Sequence, residues 1–78
     1  MTIEANYLPA ACRACIRLQP TGKVARAKYQ ETFMQGVLAT ATAAGWMTFD
    51  RANMIGFLCA CGRLDKFITD QASEVAGA

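Results

Sequence analysis

The sequence predicts an all-α domain of three or four short helices. Three observations carry this. The stretch from Val24 to Trp46 contains no proline, and its apolar residues Tyr29, Phe33, Val37 and Ala41 recur every fourth position, with Met34 and Leu38 beside them. Two later segments repeat that helical spacing. Glycines at 45 and 62 fall where helices would stop. Residues 1–78 read as one domain, since a chain this short has room for a single core.

Met1 to Leu8 offers only a brief alternation, Ile3, Ala5 and Tyr7, fit for an edge strand or a docked tail. Residues 9–19 have two readings. In one, Pro9 opens a helix that Pro20 ends, because the first helical position loses nothing from a missing N–H. Leu8, Cys12, Cys15, Ile16 and Gln19 then share one side, opposite Arg13 and Arg17. In the other, Cys12 and Cys15 form a knuckle and Ile16 to Ala25 form a short N-terminal hairpin turning at Gln19-Pro20-Thr21-Gly22. The helix is the favoured reading. Gly22-Lys23 is not a phosphate loop, because the upstream glycine and the following Ser or Thr are missing.

The central helix runs from near Val24 to near Gly45, and Phe33, Leu38 and Phe57 are the large side chains expected to bury first. Thr48 can cap the next helix with Asp50 in its first turn. Met54, Ile55, Leu58 and either Cys59 or Cys61 mark the expected buried side, and Gly62 ends the helix. Asp65 can cap a last helix whose packed face is Leu64, Phe67, Ile68, Gln71, Ala72 and Val75. One core uniting Phe33, Val37, Leu58, Phe67 and Ile68 follows.

Composition narrows the function. Apolar residues make up 54% of the chain, which is high for so small an interior. A second copy or a host protein would use the surplus. The net charge of +2 is too small to demand nucleic acid. The start, M-T-I-E-A-N-Y, places an acid where a secretion signal is basic, so a cytoplasmic, reducing location is expected. The uncharged run Thr32 to Phe49 approaches the ~20 residues that cross a bilayer. Its glutamine, threonines and small residues speak against a membrane span.

Cys12-x-x-Cys15 and Cys59-x-Cys61 form two close pairs far apart, the general arrangement of a structural zinc site. Four soft thiolates closing on one ion would support a thin core. The spacing of the second pair is short for such a site. On a continuous helix Cys59 and Cys61 point roughly 200° apart, as any i, i+2 pair does. Buried thiols packing as small apolar groups are the competing reading. Redox chemistry is weaker still, since no βαβ pattern surrounds the Cys-x-x-Cys.

Histidine is absent, serine occurs once, and the acids form no facing pair, so no enzyme is expected. The expected function is a small protein-interaction module, such as an inhibitor or adaptor of the phage type that covers a surface on a host protein. Tyr7, Trp46, Met47 and Phe49 flank element ends and are the candidate anchors. The alternatives are a zinc-stabilised regulatory protein and a DNA-binding helix-turn-helix. In the latter, Phe49 to Ile68 would form the motif, and Arg13, Arg17, Arg26 and Lys28 would meet phosphates. The two acids in its second helix oppose that role.

Overall fold

The computed structural model describes residues 3–74, with the side chains of residues 6–74. Across them the chain is all-helical: α1 (Ile3–Leu18), α2 (Lys23–Ala43), α3 (Phe49–Ala60) and α4 (Leu64–Ser73). The connections are short, and α1 packs most extensively against α4. The principal-axis extents are 35 × 27 × 17 Å, so the molecule is a flattened slab. Val75, expected on the packed face of the last helix, lies outside the described residues.

α1 replaces both the expected tail and the hairpin alternative. It begins six residues before Pro9 and carries that proline inside it. An internal proline removes one backbone hydrogen bond and crowds the preceding turn, typically by ~3 kcal/mol. Here the ring is itself fully buried beside Leu8, Cys12 and Cys15, so apolar burial offsets the lost bond. The helix ends where Gln19 N–H donates to the Cys15 carbonyl at 2.8 Å and Pro20 bars continuation.

α2 crosses the middle of the slab. Gln30, Met34, Val37 and Ala41 form its buried line, at helical spacing. Tyr29 and Phe33 flank that line half-buried, with ring centroids 5.9 Å apart. Leu38 is half-buried on the other flank. At the end of α2, Gly45 adopts φ +77°. Its N–H donates to Thr42 O at 3.1 Å, and Trp46 N–H donates to Ala41 O at 2.9 Å. Those two bonds are the Schellman closure, which needs a left-handed residue and so favours glycine.

The same closure ends α3. Gly62 has φ +70°, its N–H donates to Cys59 O at 3.1 Å, and Arg63 N–H donates to Leu58 O at 2.9 Å. At its start, the Thr48 hydroxyl accepts from Arg51 N–H at 3.1 Å, with Asp50 in the first turn. The last cap differs from expectation. Arg63 occupies the N-cap of α4 without a side-chain bond, and Asp65 sits in the first turn, where it accepts from Gln30 instead.

The core gathers Leu8, Cys12, Cys15, Met34, Val37, Ala41, Met47, Ile55, Leu64 and Ile68. Of the five residues expected to define it, Val37 and Ile68 are buried, while Phe33, Leu58 and Phe67 are half-buried.

Gln30, 3% exposed, is the buried polar residue of the core. Its Nε2 donates to Gln19 Oε1 at 2.9 Å and to Asp65 Oδ1 at 2.7 Å, so one amide ties the end of α1, the body of α2 and the first turn of α4. No buried side-chain nitrogen or oxygen among the described residues lacks a partner. Losing a bond to a charged acceptor and one to a neutral acceptor costs more than removing an ordinary surface contact. Gln30→Ala is expected to lower unfolding free energy by about 2–3 kcal/mol, and Gln30→Leu by less, because leucine refills the volume. Urea titrations of the three proteins check the order; equal midpoints would show that the junction contributes nothing.

Candidate interaction site

The ends of α3 are fixed by the Thr48 cap and the Gly62 closure, and these set which side of the helix faces inward. Ile55 is fully buried, with Ala52 and Cys59 half-buried on the same side toward α2. Of the expected buried side, Ile55, Leu58 and Cys59 face inward and Met54 does not. Met54 is 64% exposed and Phe57 67% exposed, while Cys61 stands exposed at the C-cap. α3 is apolar nearly all round, so periodicity could not choose its inner side. Once Ile55 points in, Phe57 must point out, because residues two apart diverge by roughly 200°.

Phe49, at 68% exposure, joins the same outer arc. Phe49, Asn53 and Phe57 follow at i, i+4 and i+8 and make one ridge on that face. Beside it, Ala52, Gly56 and Ala60 make a parallel row of small residues. An open groove of about 590 Å³ runs between this row and α2, with Leu38, Ala39, Thr42 and Ala43 on its far wall. Toward the other end, Met34, Ile55 and Leu64 floor a continuation of about 470 Å³, with Glu31 as its charged residue. A row of large apolar side chains thus borders a shallow channel of small ones.

The four anchors expected from sequence fall differently. Phe49 is exposed as expected. Met47 is 6% exposed and belongs to the core, because the Gly45 turn folds the chain under at that point. Tyr7 and Trp46 are half-buried against each other, ring centroids 5.1 Å apart and planes at 61°, in an edge-on contact that joins α1 to the α2–α3 connection. Phe57 and Met54 were not anticipated as surface groups; the signal that points to them is the Phe49-Asn53-Phe57 spacing beside Gly56.

The cysteines do not converge. Cys12 and Cys15 are wholly inside the core, Cys59 is half-buried, and Cys61 is exposed. Among the described residues no group of three or more His, Cys, Asp or Glu stands close enough to hold a metal ion. The donor set for the expected zinc is therefore not assembled. Burial, reinforced by Cys15 and opposed by Arg13, pushes the Cys12 thiol from 9.0 up to about 12. Burial also raises Cys15. Cys59 is raised by partial burial, then by a hydrogen bond to Glu31 and the carboxylate's charge. Cys12 and Cys15 pack inside the core as small apolar groups do.

The basic residues are partly committed within the fold. Arg13 Nη1 donates to Glu74 O at 2.9 Å and to Ala72 O at 3.4 Å, satisfying carbonyls at the end of α4. Arg26 Nε lies 3.9 Å from Asp65 Oδ1. Arg17 and Lys28 are exposed. α3 and α4 do form two helices joined at Cys61-Gly62-Arg63. On the outward side of α4, however, Lys66 pairs with Asp70 at 2.9 Å and the Thr69 hydroxyl donates to Asp65 O at 2.9 Å. Those are the polar groups a recognition helix would need to present to bases.

No helix among the described residues is long and apolar enough to cross a membrane. Comparison with known proteins finds no matching family, no matching curated protein and no matching solved structure.

Two outcomes follow. A Cβ at Gly56 would meet nothing within 4 Å, so Gly56→Ala is expected to add about 1 kcal/mol of stability. That corresponds to a rise of about 4–8 °C in thermal midpoint; a fall would mean the position is crowded within the monomer. For Cys12, the folded chain holds the thiol proton more tightly than the unfolded chain. Its contribution is complete below 9.0 and is lost as pH rises toward about 12. Denaturant midpoints should therefore decline over that range more steeply in the native sequence than in Cys12→Ala, and parallel declines would place the cause elsewhere.

Proposed function

We propose that the chain is a protein-interaction module that engages its partner through the outer face of α3 and the adjoining groove. The observation that supports this is the exposure of Phe49, Met54 and Phe57 on one arc of one helix. Scattered apolar side chains on a surface are ordinary, but three large ones on one helical face beside a channel of small residues make a contiguous patch. Phenylalanine and methionine are enriched at interface centres. The role that fits is a non-catalytic one, an inhibitor or adaptor that covers a surface of a host protein. A protein is favoured over nucleic acid because the patch is apolar, while Arg13 and Arg26 are engaged with α4.

The test is capture by the immobilised chain at about 0.3 M salt, where charge attraction is screened within several ångströms. A protein is expected to be retained by the native sequence and lost with Phe57→Asp, whose helical circular dichroism should be unchanged. An anchor of this kind contributes at least about 2 kcal/mol, or roughly 30-fold in affinity. Retention indifferent to both Phe57→Asp and Phe49→Asp, or capture of nucleic acid alone that fades as salt rises, would overturn the reading.

A further inference from the structure

We draw no further inference here: the strongest candidate, the half-open cavity of about 470 Å³ between α2 and α3 that is lined by Met34, Leu38, Ile55 and Leu64 with Glu31 as its charged residue, continues the groove already described, and nothing in the structure shows what covers it.

Discussion

Gln30 places a primary amide at the centre of a slab with little else to hold its layers in register. Apolar contacts tolerate sliding, because burial is roughly proportional to area and indifferent to direction. A buried amide is directional, and leaving it unpaired inside the core costs about 1–3 kcal/mol. With Nε2 committed to Gln19 and Asp65, the start of α4 can sit at one height only along α2. Arg13 pins the other end of α4 through its terminal carbonyls. The extensive α1–α4 packing follows from those two ties, and α3 hangs from α4 by the three-residue turn at Gly62.

The thinness of the slab explains how a surface arises from it. A helix in a thicker protein can bury apolar residues on two sides. Here α3 has neighbours along one side only, and its surplus of large residues has nowhere to go but outward. Phe57 and Met54 are exposed because no other helix packs against that side of α3. The same shortage keeps Tyr7 and Trp46 half-buried, edge to face, closing the rim of the core.

Much of the fold was legible because it depends on local rules. The spacing through α2, the Thr48 cap and the glycines at 45 and 62 specify helices and their ends from neighbouring residues alone. The start of α1 was not legible, since a proline reads as a boundary unless something distant rewards keeping it inside. That reward is burial of its ring against the core. The inner side of α3 was ambiguous because its apolar residues surround the helix, and Asp65 looked like a cap because its true partner, Gln30, is remote in sequence. The cysteine spacing carried a real chemical pattern, yet whether two pairs meet is decided by the relative placement of α1 and α3. Of the large apolar residues exposed on α3, Phe49 was visible in the sequence and Phe57 was not. Tyr7, Trp46 and Met47 were drawn inward by contacts that no short window of sequence contains.

The two glycine closures that bracket α3 have a consequence for how this chain can change over generations. The Gly45 closure ends α2, and the Thr48 cap and Gly62 closure fix where α3 begins and ends without reference to its outer side chains. Stability is therefore set by one set of positions and surface identity by another, with little overlap between them. Replacements along the outer arc pass unnoticed by the fold and are filtered only by whatever touches them. A lineage carrying this scaffold can alter that outer surface quickly while its architecture stays still.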